Sequence, residues 1–178
     1  KSQYKLPDKY LLSVGSIEKR KNLECILKAY RYLPENLKLP IVIIGKGSMH
    51  KNHLMRLCQN ENISHLVYWR EQVDDKLHLK KIYQSADALL YPSLYEGFGL
   101  PVVEALLSRT PVITSNTSSL AEAGGPDTIY IDPLNPEDLA EAIKKLLTNK
   151  DLRVRMKEKG YTFAMSRFNP EIITKKLG

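Results

Sequence analysis

Five short apolar runs, each cut off by a glycine, a proline or a polar turn and each followed by a stretch with helical spacing, constrain this chain most. Leu11-Leu12-Ser13-Val14 ends at Gly15, and Ile41-Val42-Ile43-Ile44 ends at Gly45-Lys46-Gly47. Leu66-Val67-Tyr68-Trp69, Ala88-Leu89-Leu90-Tyr91 and Pro111-Val112-Ile113-Thr114 follow at similar intervals. Runs this short, apolar throughout and not alternating with polar residues, read as strands covered on both faces. Between them Asn22 is placed to cap a helix carrying Leu23, Ile26, Leu27 and Tyr30. A second helix turns Leu54, Leu57 and Cys58 to one side, and a third, begun by Asp74 or Asp75, turns Leu77, Ile82 and Tyr83 inward. Residues 100–108 read as a fourth helix, 128–131 as a sixth strand, and 136–147 and 151–166 as two closing helices. Alternation of this kind predicts an α/β fold: a doubly wound parallel sheet in a single domain, which suits 178 residues. Ligands of such sheets bind outside the carboxyl ends of the strands. The loops at Gly15, Gly45, Trp69, Pro92 and Thr114 are therefore expected along one rim.

Composition narrows the partners. The formal net charge is +7, which permits a nucleotide diphosphate, an acidic membrane surface or nucleic acid and selects none of them. No basic–aromatic groove or nucleic-acid motif is present, so no nucleic acid is expected. The charges of Lys144, Lys145, Lys150, Arg153, Arg155, Lys157 and Lys159 read as a solvated helix face. No stretch approaches the roughly 18 apolar residues that cross a bilayer. Cys25 and Cys58 stand apart without metal spacing and read as buried thiols of a reducing, cytoplasmic environment. The four histidines form no HExxH or Cys/His cluster, so no metal site is expected. Residues 1–9 are polar and read as the remnant of a linker, residues 10–168 as the domain, and 169–178 as the start of a C-terminal tail helix.

The chemistry concentrates in Tyr91-Pro-Ser-Leu-Tyr-Glu-Gly-Phe-Gly-Leu-Pro-Val-Val-Glu104. Glu96 lies in a glycine-rich loop between a buried strand and a helix. Gly97 and Gly99 let the backbone approach a ligand closely, and Pro101 tolerates the first helical turn because its missing N–H costs nothing there. The free amides at that helix start carry partial positive charge, so an anion fits before Phe98, Gly99 and Leu100. Glu104, about one turn further on, can accept the hydroxyls of a polyol such as ribose.

Glu96-Gly-Phe-Gly-Leu-Pro-Val-Val-Glu104 resembles the E-x7-E motif of the retaining group-1 glycosyltransferases. The flanks are similar too: Tyr91-Pro-Ser-Leu before it, Thr110-Pro-Val-Ile-Thr-Ser-Asn116 after it, then Leu120-Ala-Glu122 and Tyr130-Ile-Asp-Pro133. Upstream, Val14-Gly-Ser-Ile-Glu-Lys-Arg-Lys-Asn22 resembles the family's phosphate loop. The resemblance runs from about Tyr10 to about Phe168. It implies a Rossmann-like domain, the C-terminal half of a GT-B enzyme whose acceptor-binding N-terminal domain is absent here. It also implies roles. Lys21 and Arg20 face the donor diphosphate; Glu96 faces the transferred sugar; Gly15, Ser16, Gly97, Phe98, Gly99 and Leu100 line the phosphates and sugar. Glu104 holds the ribose, and Tyr68, Arg70 and Val73 lie beside the base. Three positions depart from the pattern: Ser16 where many relatives carry arginine, Arg109 where glycine is common, and Arg167-Phe-Asn-Pro170 where a tryptophan is frequent.

The resemblance implies transfer of a mannose- or glucose-type hexose from a nucleotide sugar with retained configuration, in polysaccharide or glycan synthesis. The leaving diphosphate needs neutralising charge. The chain holds no Asp-x-Asp to carry a metal, so Lys21, Arg20 and the helix start are expected to supply it, with no cofactor. The basic loop leans toward GDP-mannose-type donors, with UDP- and ADP-sugars open. A dehydrogenase reading fails because Gly45-Lys-Gly47 lacks the third glycine and follows the second strand. Half of a GT-B sugar-nucleotide epimerase and a non-catalytic nucleotide-binding module stay as alternatives. The expected location is cytoplasmic, with room for peripheral contact at the inner face of a membrane, and the fragment alone is expected to bind nucleotide without transferring sugar.

Overall fold

The computed structural model describes residues 2–47 and 49–168. Six strands, β1 (Leu11–Val14), β2 (Ile41–Ile44), β3 (Val67–Arg70), β4 (Ala88–Tyr91), β5 (Val112–Ser115) and β6 (Ile129–Ile131), form one sheet in the order β3-β2-β1-β4-β5-β6. Every adjacent pair is parallel, with Leu11 opposite Ile41 and Ala88 across β1, and Leu89 opposite Val112. The order reverses between β1 and β4, and in open α/β sheets it is at the carboxyl ends of such strands that the ligand crevice lies.

Among the described residues seven α-helices cover the sheet: α1 (Leu23–Ala29), α2 (Met49–Asn60), α3 (Lys76–Ser85), α4 (Leu100–Leu107), α5 (Ser118–Gly124), α6 (Pro136–Thr148) and α7 (Lys150–Arg167). Successive strand residues point to opposite faces. Leu11, Ile41, Ile43, Leu90 and Ile113 pack with α1, α2 and α6 in one core layer. Leu12, Val42, Ile44, Leu89, Tyr91 and Val112 pack with α3, α4 and α5 in the other. Burial of each such leucine or isoleucine contributes about 1.5–3 kcal/mol. The apolar strand runs are thus explained by helices on both sides.

Helix α7 contributes to both layers. Leu152 and Met156 belong to the first layer and Ala164 to the second, with Phe163 and Phe168 packed beside it. Its apolar residues therefore follow two layers in turn, not one continuous stripe. No helix among the described residues is long and apolar enough to cross a membrane.

The structure corrects three local expectations. Asn22 does not cap α1 with its side chain. It sits in the left-handed region at φ 59°, and its Nδ2 donates to the carbonyls of Pro92 (2.9 Å) and Pro133 (2.7 Å). Leu77 faces outward, 57% exposed, because Asp75 caps α3 through the Leu77 amide (2.8 Å) and fixes where the first turn points. The loop after β5 carries a helix, α5, that the sequence pattern did not announce: its seven residues give only Leu120 and Ala123 as buried apolar positions. Cys25 and Cys58 are buried free thiols, as expected. The expected tail helix over 169–178 lies outside the described residues.

Candidate functional site

Two loops meet at the crevice, and their backbones are tied together. The amide of Leu94, in the loop after β4, donates to the carbonyl of Arg20, in the loop after β1, at 2.8 Å. The β4 loop is pinned from three other directions. Asn22 Nδ2 takes the Pro92 carbonyl, Ser115 Oγ takes that of Ser93 (2.6 Å), and Ser119 Oγ takes that of Glu96 (2.8 Å). The carbonyls of Pro92, Ser93 and Glu96 are thus fixed without a ligand, and a backbone held in advance is the condition for a preorganised site.

The β1 loop is equally constrained. Gly15 N donates to Ile44 O (2.9 Å), Ile17 N to Lys46 O (2.8 Å), and Gly45 N to Arg70 O (2.9 Å), so the loops after β1, β2 and β3 are stitched in series. Gly15 has φ +141° and a Cβ there would touch the Lys21 side chain at 3.4 Å. A Cβ on Gly45 would lie 1.8 Å from the Gly15 carbonyl oxygen. That clash explains the glycine-rich turn after β2 as a packing requirement of the β1 loop.

Onto this frame the chain hangs its charges. Lys21 Nζ lies 2.5 Å and Arg20 Nη1 3.0 Å from Oε1 of Glu96. The Glu96 side chain is 9% exposed and that of Lys21 11%. Burial by itself would raise the Glu96 carboxyl. Hydrogen bonds from Lys21 and Tyr91 and the Lys21 charge outweigh it, and the carboxyl is held below the ordinary carboxylate value. Arg20 also bonds Glu18 through Nε at 2.9 Å.

Glu104 makes a separate pair. The Tyr83 hydroxyl of α3 donates to its Oε2 at 2.8 Å, while the Tyr83 carbonyl accepts from Thr110 Oγ1 at 2.6 Å. Burial pushes the Glu104 carboxyl up, and the Tyr83 hydrogen bond and the Lys76 charge do not bring it back. Two carboxylates of one segment thus sit in opposite environments, one clamped by cations and one desolvated.

The remaining sequence candidates divide. Gly99 has φ +79° at the N-cap of α4, and a Cβ there would lie 2.5 Å from Leu120 Cδ2, so backbone shape and packing against α5 account for this glycine. Gly97 is different: a Cβ there would meet nothing within 4 Å. Phe98 is half exposed and meets Phe168 edge-on at 5.5 Å, and Leu100 opens α4 with Pro101 after it. Ser16 is half-buried beside Gly15 in the β1 loop. Tyr68 and Val73 flank the end of β3, half-buried against the second core layer. The Arg70 guanidinium donates to the carbonyls of Tyr4 (2.9 Å), Lys5 (3.3 Å) and Trp69 (2.7 Å), tying the leading segment to β3. Sequence reasoning missed Tyr83 and Tyr91 as partners of the two glutamates. Each reads as a core aromatic, and nothing short of the fold shows where its hydroxyl lands.

A parallel sheet ordered 3-2-1-4-5-6 with helices on both faces defines a Rossmann-like α/β domain, here with two cations and a carboxylate at its switch point. The chain belongs to the family of group 1 glycosyl transferases, which it matches over residues 1–163. It is 33% identical over 155 residues to the serotype-specific mannosyltransferase WbdA of Escherichia coli, an alignment covering 84% of this chain and 19% of that protein. Sucrose-phosphate synthase from Thermosynechococcus elongatus superposes with a TM-score of 0.87 at 26% identity, over 99% of this chain and 46% of that one. The C-terminal domain of the group 1 family protein LpcC from Francisella tularensis superposes with a TM-score of 0.82 at 22% identity, over 95% of this chain and 91% of that one. The chain thus spans about a fifth of the length of WbdA and under half that of the synthase.

Proposed function

We propose that this chain is the donor-binding half of a retaining glycosyltransferase that moves a hexose, mannose by preference, from a nucleoside-diphosphate sugar to a growing glycan. The observation that carries the reading is the convergence of Arg20 and Lys21 on Glu96 across the β1/β4 crevice. Fixed positive charge in a partly dry site is what a leaving diphosphate requires, and no metal has a part in this reading. Glu96 stays ionised beside it, fit to accept hydroxyls of the sugar. Glu104 holds the ribose, and the start of α4 offers free amides to the phosphates. Mannose is favoured by the mannosyltransferase names among the relatives, WbdA included. The acceptor is bound by another part of the enzyme, so the domain alone binds donor and transfers nothing.

A thermal-shift panel of UDP, GDP, ADP and their hexose conjugates tests this. One nucleotide series is expected to raise the melting temperature, because a ligand that binds only the folded state stabilises it. Lys21→Ala is expected to abolish that rise. A chain indifferent to all three series would sink the reading.

A further inference from the structure

Tyr91 is the last residue of β4 and is 2% exposed. Thr114 Oγ1 on β5 donates to its carbonyl at 2.7 Å, so its backbone is held from the neighbouring strand. Its hydroxyl stands between the two groups that define the site: it accepts from Lys21 Nζ at 2.7 Å and donates to Glu96 Oε1 at 2.9 Å. Lys21 Nζ closes the triangle on the same Oε1 at 2.5 Å and lies 5.1 Å from the Tyr91 ring centroid. Arg20 Nη1 takes Oε1 as well. None of these three donors takes Oε2.

We propose that Tyr91 is a positioning residue of the donor site, whose hydroxyl locks Lys21 to Oε1 of Glu96 and thereby presents Oε2 to the donor sugar and the free N–H of Lys21 to the diphosphate. The proposal rests on the donor-site reading above. An ammonium has three donors; Tyr91 and Glu96 take two, leaving one with a fixed direction. A phenol suits the place because it accepts and donates at a fixed reach from a rigid, buried ring. A carboxylate held by cations alone would be free to exchange its two oxygens by rotation about its last side-chain bond. The Tyr91 hydroxyl, approaching from the strand, selects one of them.

Tyr91→Phe keeps the ring and removes only the hydroxyl. Two readouts are compared with wild type. The first is the titration of the Glu96 carboxyl followed by carbon NMR in the ligand-free chain, whose midpoint is expected to rise in Tyr91→Phe. The second is the affinity for whichever of UDP, GDP or ADP the wild type binds. It is expected to fall roughly tenfold, the scale of one hydrogen bond to a charged group, and to fall no further when Tyr91→Phe is added to Lys21→Ala. An unmoved Glu96 midpoint, or equal losses of affinity with and without Lys21, overturns the proposal. If Tyr91→Phe does not fold, the wild-type chain still decides. Its Tyr91 hydroxyl proton is expected to exchange slowly and to show contacts with the Lys21 side chain, and a fast-exchanging hydroxyl overturns the assignment. A wild type that binds none of the three diphosphates sinks the donor-site reading, whereas an unmoved Glu96 midpoint with intact binding sinks the role of Tyr91 alone.

Discussion

The Lys21 ammonium and the Glu96 carboxylate meet at 2.5 Å across the point where the strand order reverses, both nearly withdrawn from solvent. Removing one member of such a pair leaves the other buried and short of a partner, which costs more than the pair itself contributes. Lys21→Ala is therefore expected to lower nucleoside-diphosphate affinity by roughly a hundredfold, as the loss of a charge-assisted contact and of the aim of Arg20 combine. Isothermal titration checks this, with circular dichroism confirming the fold. Binding by the wild type is expected to survive excess EDTA; loss of affinity in chelator would return the leaving-group charge to a metal.

Glu96 and Glu104 are expected to titrate apart. Glu104 is raised above its ordinary value of 4.5 by burial, whereas Glu96 is lowered because its cations and Tyr91 outweigh burial. As pH falls, Glu104 takes its proton first, and a protonated carboxyl no longer accepts two ribose hydroxyls. Nucleoside affinity should therefore weaken in a window above pH 4.5 in which the Lys21–Glu96 pair persists. The stability terms have opposite signs. The folded value of Glu104 exceeds its unfolded one, so its ionisation costs stability near neutrality and that cost is relieved as pH falls through the folded value. The contribution of Glu96 is present above its unfolded value and lost as pH falls through its depressed folded value. Glu104→Gln should bind more weakly at pH 7 yet show no pH dependence in that window; a pH profile identical to wild type would remove Glu104 from ribose binding.

Much of this architecture could be read from the residues because strands covered on both faces announce themselves as short apolar runs. Runs 11–14, 41–44 and 88–91 became β1, β2 and β4 without adjustment, while β3 and β5 lie one residue further along than their patterns placed them. The cluster of Arg20, Lys21 and Glu96 was legible for a related reason: alternation fixes which strand ends share a rim, and the loops carry the charges. What stayed hidden depends on contacts between segments distant in sequence. Asn22 looks like a cap until Pro92 and Pro133 are brought beside it. The guanidinium of Arg70 shows no partner in the sequence, and only the fold brings the carbonyls of Tyr4 and Lys5 to it. Helix α7 hides its packing because its buried residues serve two layers in succession.

The glycines of the rim separate fold from function. Gly45→Ala drives a Cβ to 1.8 Å from the Gly15 carbonyl oxygen, a backbone atom that cannot rotate away. It is expected to destabilise by about 3 kcal/mol or more, the upper range of overpacking, visible as a fall in melting temperature. Gly97→Ala places its methyl in open space and is expected to leave the melting temperature unchanged. If the Gly97 backbone approaches the donor, that same methyl blocks it, and nucleotide-sugar affinity should drop while the fold is intact. Unchanged affinity would move the sugar away from this loop.

Arg109 stands at φ 55°, a left-handed position that glycine adopts freely and other residues adopt at a cost of roughly 1 kcal/mol. Its guanidinium lies 3.7 Å from the centroid of the Tyr161 ring, and its Nε lies 3.5 Å from Glu158 Oε1. An exposed cation–π contact contributes about 0.5–1 kcal/mol, close to the backbone cost, and the surface ion pair adds little. Arg109→Gly removes the strain and the contacts together, so its stability should match wild type to within about 0.5 kcal/mol, the scale of ordinary surface changes. Arg109→Ala keeps the strain and loses the contacts, and should be the less stable of the two by about 1 kcal/mol. Chemical denaturation of the three proteins reads that order directly. If Arg109→Ala equals Arg109→Gly, the left-handed turn between α4 and β5 carries no strain, and the arginine at this corner is held by something other than Tyr161.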